Sequence, residues 1–119
     1  MSIAIKGGDI FLCDFSHLAI GSMQGGTRPC VIVDNHMACA FSPCIHCVPL
    51  TSQDKKDLPL HYKLDKTECD ALDKDSIALC EQYTLIDKSQ LMDKIGEVAR
   101  IDLINISSLC TKNLPFVYD

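Results

Sequence analysis

The sequence has no apolar run long enough to span a membrane, and no basic-then-apolar segment at its start. Basic residues are also in deficit, because 11 lysines and arginines face 16 aspartates and glutamates, for a net charge of −5. That balance argues against broad, non-specific nucleic-acid binding, although it leaves room for a short single strand in a local basic cleft. We therefore expect a cytoplasmic protein without a membrane anchor.

Internal repeats, low-complexity tracts and linkers are absent as well. A chain of 119 residues is long enough for one hydrophobic core and leaves little room for a second. Because 47% of the residues are apolar, the chain is expected to be ordered and globular. The sequence therefore predicts a single domain over residues 1–119.

Cysteine, by contrast, is abundant, with eight residues. Without a secretion signal we expect reduced thiols rather than a disulfide framework. His36, Cys39, Cys44 and Cys47 have the residue types and compact spacing of a zinc knuckle. However, residues 44–50 are predicted to form a strand, on which side chains three positions apart point to opposite faces. Buried thiols are therefore favoured over a structural metal site.

Short apolar segments separated by turn residues predict a mainly β protein. Helical spacing of apolar residues appears only near the end, from Ile101 to Cys110. Residues 35–43 are predicted to be a loop. The sequence thus indicates a small, strongly bent sheet or barrel closed by a C-terminal helix, with strands at residues 9–15, 28–34, 44–50, 61–64, 76–83 and 94–98.

Two segments carry side chains suited to phosphate chemistry. The glycine-rich run of residues 21–29 delivers Arg28 to the first position of a buried strand, and Pro49-Leu50-Thr51-Ser52-Gln53 places the Thr51 hydroxyl where an apolar run meets a polar loop. Taken singly, such an arginine is more often a surface ion-pair partner, and such a threonine an ordinary turn residue. Together at neighbouring strand ends, they offer a phosphodiester in transfer a fixed positive charge and a positioned donor.

Several segments occur in the order and approximate spacing of one family, from residue 7 to about residue 98. On them the chain resembles the MazF/PemK-like toxins of bacterial type II toxin–antitoxin pairs, especially the versions found in Gram-positive bacteria. The segments are Gly8-Asp9-Ile10, Gly21-Ser22-x-Gln24-Gly25-Gly26-Thr27-Arg28-Pro29, Pro49-Leu50-Thr51-Ser52-Gln53, Leu58-Pro59-x-His61, Asp75-Ser76-x-x-Leu79-x-Glu81-Gln82 and Thr84-x-Ile86-Asp87-Lys88.

The resemblance implies a compact SH3-like β-barrel with a C-terminal α-helix, a fold shared by MazF and CcdB, that works as a homodimer. It also implies a sequence-specific endoribonuclease that cuts single-stranded RNA, chiefly mRNA, without a metal or other cofactor. In that reaction the 2′-hydroxyl attacks the adjacent phosphate and leaves a 2′,3′-cyclic phosphate and a 5′-hydroxyl end. A cognate antitoxin protein is the expected partner and blocks the groove.

The family's catalytic arginine and threonine fall on Arg28 and Thr51. The guanidinium can bind phosphoryl oxygens in a bidentate fork, while the hydroxyl donates one more hydrogen bond. Glu81 either accepts the proton of the 2′-hydroxyl or pairs with Arg28 and orients it, and the pairing is favoured. The resemblance implies that the remaining substrate-binding residues are Ser22, Gln24, Gly25, Gly26, Thr27, Ser52, Gln53, Glu81 and Gln82.

One departure concerns Met23, which stands where the family usually has glutamate. Methionine neither takes a proton nor orients a guanidinium, so a catalytically weak or inactive homologue that binds RNA or antitoxin remains an alternative. A CcdB-like toxin that inhibits gyrase is a second alternative, disfavoured because gyrase poisoning does not need the Arg-Pro and Thr-Ser-Gln segments. Among the histidines, His61 is expected to be structural, whereas His46 and His17 are minor candidates for facing the groove.

Overall fold

The computed structural model describes residues 4–16, 26–52, 58–65, 72 and 74–112. Short 3₁₀ turns lie at Cys80–Gln82 and Lys88–Gln90. The strands and helices of this part of the chain are β1 (Asp9–Asp14), β2 (Thr27–Ile32), α1 (His36–Phe41), β3 (Cys44–Thr51), β4 (His61–Leu64), β5 (Ser76–Leu79), β6 (Thr84–Asp87), β7 (Leu91–Glu97) and α2 (Arg100–Thr111). The predicted mainly β fold with a C-terminal helix is confirmed.

The strands form one antiparallel sheet in the order β4-β5-β3-β2-β1-β7, and β6 also pairs with β3. Strands β5 and β6 follow one another along β3, because Thr51 pairs with Ile77 and Cys47 pairs with Thr84. The turn Cys80–Gln82 takes up the extra residues between them. The prediction of one strand over residues 76–83 was therefore wrong beyond Leu79.

Both faces of the sheet are covered by hydrophobic side chains. On β2, Val31 points to the face under α2, while Cys30 and Ile32 point to the other, as alternation along a strand requires. The core on the α2 side contains Ile10, Val31, Val48, Leu50, Leu64, Leu72, Ala78, Cys80, Val98, Ile106 and Cys110. The core on the opposite side contains Phe11, Cys13, Phe15, Cys30, Ile32, Cys39, Ile45, Cys47, Ile86 and Leu91.

The segment after β2 differs from its predicted form. Residues 35–43 were predicted to be a loop, but residues His36–Phe41 form the short helix α1. The side chain of Asn35 accepts a hydrogen bond from the backbone N–H of Ala38 at 3.0 Å, which caps the helix. Cys39 is buried in the opposite-side core and anchors the helix to the sheet.

A buried carboxylate ties the start of the chain to the sheet. Asp9 is fully buried and accepts hydrogen bonds from the backbone N–H and the ammonium of Lys6, each at 2.9 Å. The ammonium of Lys94 on β7 lies 3.1 Å from the same carboxylate. Glu97 pairs with Lys6 at the exposed edge of this network. Asp9 therefore holds the residues before β1 against β7.

The seven cysteines in the described part of the chain are free thiols, and six are buried. Cys44 and Cys47 lie on β3, where Cys44 is half-buried and Cys47 is packed in the opposite-side core. Among the residues that the structure describes, no group of three or more histidine, cysteine, aspartate or glutamate side chains is arranged to hold a metal ion. Neither described helix is long and apolar enough to cross a membrane.

Candidate active site

Arg28 and Thr51 meet at the ends of two adjacent strands. The pairing of β2 with β3 places Cys30 opposite Pro49 and Val31 opposite Val48. Beyond Pro49, Leu50 and Thr51 of β3 pair with β5, and Arg28 lies two residues before Cys30 on β2. Arg28, near the start of β2, and Thr51, the last residue of β3, therefore lie at the same end of this antiparallel pair.

A cleft of about 560 Å³ opens at these strand ends, a size that suits a small ligand or a short segment of a longer one. Both Arg28 and Thr51 line it. The other described residues that line it are Leu12, Thr27, Pro29, Leu50, Ser52, Leu72, Lys74, Ser76 and Ile95.

The strands hold the two central side chains in fixed positions. Thr51 is the last residue of β3, is only 2% exposed and pairs with Ile77 of β5. Arg28 is half-buried and pairs with Cys13 of β1. A site built on paired strands keeps its geometry better than one built on loops, which is what catalysis of a transfer reaction requires.

Gly26 sets the entry of the chain into β2. Its φ is +71°, in the left-handed region that side chains disfavour. Its carbonyl accepts a hydrogen bond from the backbone N–H of Phe15 at 2.8 Å, which extends the β1–β2 pairing beyond Asp14 and Thr27. The backbone conformation at position 26 therefore favours glycine, independently of any contact with substrate.

The charged residues of the cleft are opposite in sign to the net charge of the whole chain. Among the described residues that line it, Arg28 and Lys74 are the charged ones and none is acidic, although the chain has a net charge of −5. The arrangement can bind an anion and offer it the Thr51 hydroxyl as a donor. Sequence reasoning missed Lys74, since it stands in the run Leu72-Asp73-Lys74-Asp75, which reads only as a polar turn.

The structure brings together part of the predicted binding set. Thr27 and Ser52 line the same cleft as the two central residues, and Gly26 adjoins it at the start of β2. Gln82 lies in the 3₁₀ turn Cys80–Gln82, which is not among the described elements lining the cleft. Outside the described residues lie Ser22, Met23, Gln24, Gly25 and Gln53, and also His17.

Glu81 has a different partner from the predicted one. Its Oε1 lies 2.9 Å from Nε2 of His61, so the contact that the structure shows is not the expected pairing with Arg28. The register explains this, because His61 is opposite Leu79, two residues before Glu81. The side chain of His61 is only 5% exposed, in keeping with its expected structural role.

His46 also lies away from the cleft. Its Nδ1 is 2.8 Å from Oδ1 of Asp34, and its backbone N–H donates to the other oxygen of that carboxylate at 2.7 Å. The imidazole stacks on the ring of Tyr83 with centroids 4.9 Å apart. The suggestion that His46 faces the groove is therefore wrong, since these contacts fix it beside the β3–β6 pairing.

Comparisons with known proteins agree with this architecture. The family model described as PemK-like, MazF-like toxin of type II toxin-antitoxin system matches residues 6–112. "Endoribonuclease MazF" of Staphylococcus epidermidis is 34% identical over 105 residues, which cover 87% of this chain and 86% of that protein. "Endoribonuclease EndoA" of Bacillus subtilis (strain 168) is 38% identical over 92 residues, covering 76% and 78%.

Solved structures show the same fold at lower identity. MazF from Deinococcus radiodurans superposes with a TM-score of 0.79 at 18% identity, over 95% of this chain and 98% of that one. An endoribonuclease from a Mycobacterial species, solved in complex with its cognate antitoxin, gives a TM-score of 0.72 at 21% identity, over 94% and 98%. The chain therefore belongs to the family of PemK-like, MazF-like toxins of type II toxin–antitoxin systems.

Proposed function

We propose that this chain is the toxin of a toxin–antitoxin pair and a sequence-specific endoribonuclease that cleaves single-stranded RNA, chiefly mRNA, without a metal. One observation carries the proposal: Arg28 and Thr51 line a single cleft whose described charged residues are positive. The two relatives named as endoribonucleases, 34% and 38% identical to this chain, support it.

The reaction is an in-line displacement at phosphorus. The 2′-oxygen of the ribose forms a bond to the adjacent phosphorus, and the bond from phosphorus to the 5′-oxygen of the next nucleotide breaks. The 2′-hydroxyl loses its proton and the departing 5′-oxygen gains one, which gives a 2′,3′-cyclic phosphate and a 5′-hydroxyl end. Negative charge builds on the phosphoryl oxygens, where the Arg28 guanidinium and the Thr51 hydroxyl donate hydrogen bonds.

Glu81 supports the fold near the site in this proposal. Its carboxylate is joined to His61 rather than to Arg28, and it is not among the described residues that line the cleft. It therefore acts on the position of the 3₁₀ turn between β5 and β6. Its loss is expected to lower stability more than the rate of the chemical step.

The partners follow from the same cleft. A Mycobacterial relative has been solved with its cognate antitoxin, and an acidic antitoxin segment would complement the two cations Arg28 and Lys74. We propose that the chain acts in the cytoplasm, as a homodimer of single-domain subunits, and that antitoxin and RNA compete for the cleft.

The experiment is cleavage of a long single-stranded RNA by the purified protein, with the cut sites and end groups mapped. Cuts at a short recurring sequence that carry cyclic-phosphate and 5′-hydroxyl ends are the expected result. A matched RNA with a 2′-deoxy nucleotide on the 5′ side of the scissile bond should resist cleavage, because it lacks the attacking hydroxyl. Cleavage of that RNA at the same bond would overturn the mechanism, and a folded protein that makes no cuts would overturn the function.

A further inference from the structure

The structure assigns to Lys74 a second phosphate site in the cleft: we propose that its ammonium binds a phosphate of the RNA that flanks the scissile one. The inference rests on the proposed endoribonuclease function and adds to it a residue outside the family-like segments. Lys74 and Arg28 are the two charged residues among those described in the lining.

Its position follows from the strand register. Thr51, the last residue of β3, pairs with Ile77 of β5. Lys74 lies three residues before Ile77, so it stands beyond the strand end where Thr51 meets Arg28. In the sheet, β3 lies between β2 and β5, so Arg28 and Lys74 approach Thr51 from opposite sides, separated by about two strand spacings, or roughly 10 Å. This separation favours an adjoining phosphate of the RNA as the partner of Lys74, rather than the phosphate at Arg28 and Thr51.

Local hydrogen bonding favours a defined backbone position at Lys74. Its carbonyl accepts a hydrogen bond from the hydroxyl of Ser76 at 3.1 Å, and Ser76 is itself buried and part of the cleft lining. The ammonium makes no ion pair within the described part of the chain. Its charge is therefore available to a ligand, whereas the ammonium groups of Lys6 and Lys94 are engaged by Asp9.

An alternative is that Lys74 acts on RNA only through its long-range electrostatic field, and an acidic neighbour argues against this. Asp75 follows Lys74 directly and is exposed, but it is not among the described residues that line the cleft. A lysine next to an aspartate contributes little to the field at long range, because the two charges largely offset each other at distances beyond their own separation and salt screens the remainder. The effect of Lys74 on RNA is therefore expected to arise by direct contact with phosphate.

The test measures binding of an uncleavable RNA, the mapped target oligonucleotide with a 2′-deoxy nucleotide at the scissile position, across a range of salt concentrations. A lysine that contacts phosphate contributes about 0.7 to the slope of log Kd against log salt for a single strand. Lys74→Ala should reduce the slope by about that amount, and Lys74→Arg should restore most of it. Lys63→Ala is the matched control, because Lys63 is an exposed lysine of neighbouring β4 outside the described lining.

Cleavage kinetics provide the second readout. Lys74→Ala should raise KM several-fold and leave kcat within about threefold, because the contact is made equally in the ground and transition states. If Lys74→Ala shows the same slope and the same KM as the Lys63→Ala control, the inference is overturned. Cleavage of RNA by the wild-type protein would in that case still support the proposed function. If the wild-type protein neither binds nor cuts RNA, the proposed function fails first and the inference fails with it.

Discussion

The imidazole of His61 and the carboxylate of Glu81 form a largely buried pair, with Nε2 and Oε1 2.9 Å apart. The pair joins β4 to the 3₁₀ turn between β5 and β6. The remaining atoms, Nδ1 of His61 and Oε2 of Glu81, are buried without a hydrogen-bond partner in the structure. Buried polar atoms of this kind are costly, so the contact at Nε2 is important for the stability of this end of the sheet.

The first prediction concerns that pair. His61→Ala should lower the free energy of unfolding by about 2–4 kcal/mol, because it leaves the Glu81 carboxylate half-buried without its donor. Glu81→Gln keeps an acceptor oxygen and should cost about 1 kcal/mol, with a cleavage rate within a few-fold of wild type. Urea unfolding and single-turnover cleavage measure both. A loss of rate by two orders of magnitude or more in folded Glu81→Gln would assign Glu81 to the chemistry instead.

The second prediction separates the hydroxyl of Thr51 from its shape. Thr51→Val removes the donor with little change in volume and should reduce kcat by about a hundred- to a thousandfold. Thr51→Ser keeps the hydroxyl and should retain most of the rate. Both variants should bind uncleavable RNA within a few-fold of wild type. Equal activity of the valine and serine variants would show that the hydroxyl takes no part.

The third prediction tests the buried carboxylate of Asp9. Asp9→Ala removes the group that accepts the Lys6 hydrogen bonds and pairs with Lys94. It should lower the free energy of unfolding by about 2–4 kcal/mol in urea titrations. Glu97→Ala is the control, because Glu97 is a half-exposed partner of the same Lys6 and should cost under about 1 kcal/mol. Equal losses from the two variants would contradict the importance assigned to Asp9.

The fourth prediction is alkaline destabilisation. Contact with the Cys13 thiol raises the pKa of both Cys30 and Cys47, and burial raises it further. Contact with the Cys30 thiol also raises the pKa of Cys47, whereas contact with Cys47 partly lowers that of Cys30. These thiols keep their protons in the fold after the unfolded chain has lost them, so unfolding releases protons and stability falls as pH rises above about 8.5. Each such thiol contributes a decline of about 1.4 kcal/mol per pH unit.

Urea unfolding at pH 7.5 and pH 9.5 under reducing conditions measures this decline. Cys47→Val removes one of the thiols and keeps an apolar side chain at that position, so its stability should fall less steeply with pH than that of the wild-type protein. Cys44→Val is the control, since Cys44 is half-exposed on the same strand. Parallel pH dependences in the wild-type protein and Cys47→Val would contradict the prediction.

Much of the fold could be predicted from local sequence pattern. Apolar runs bounded by turn residues located β1 to β4 to within about two residues, and the helical spacing after Ile101 located α2. The break between β5 and β6 could not be predicted, because it depends on a contact between residues far apart in sequence. The backbone N–H of Cys80 donates a hydrogen bond to the carbonyl of Leu60. Likewise, α1 is fixed by the capping contact of Asn35 and by burial of Cys39 against the sheet, in a segment without helical periodicity.

The candidate site could likewise be predicted only in part from local sequence pattern. Arg28 and Thr51 could be picked out because each stands at a recognisable junction of apolar and polar sequence, and the family resemblance joined them. The partner of Glu81 depends on the register between β4 and β5, which no local pattern specifies. Lys74 depends on where a polar turn lies relative to a cleft formed by strands far away in sequence. Both required the three-dimensional arrangement.

The most direct test of the central claim compares wild-type protein with Arg28→Ala in cleavage of one long single-stranded RNA in the presence of EDTA. We predict that the wild-type protein cuts at a short recurring sequence despite the chelator. The folded Arg28→Ala variant should be slower by a hundredfold or more, because it has lost the charge that stabilises the transition state. Equal cleavage by both proteins would contradict the assignment of Arg28, and activity that EDTA abolishes would contradict a metal-independent reaction.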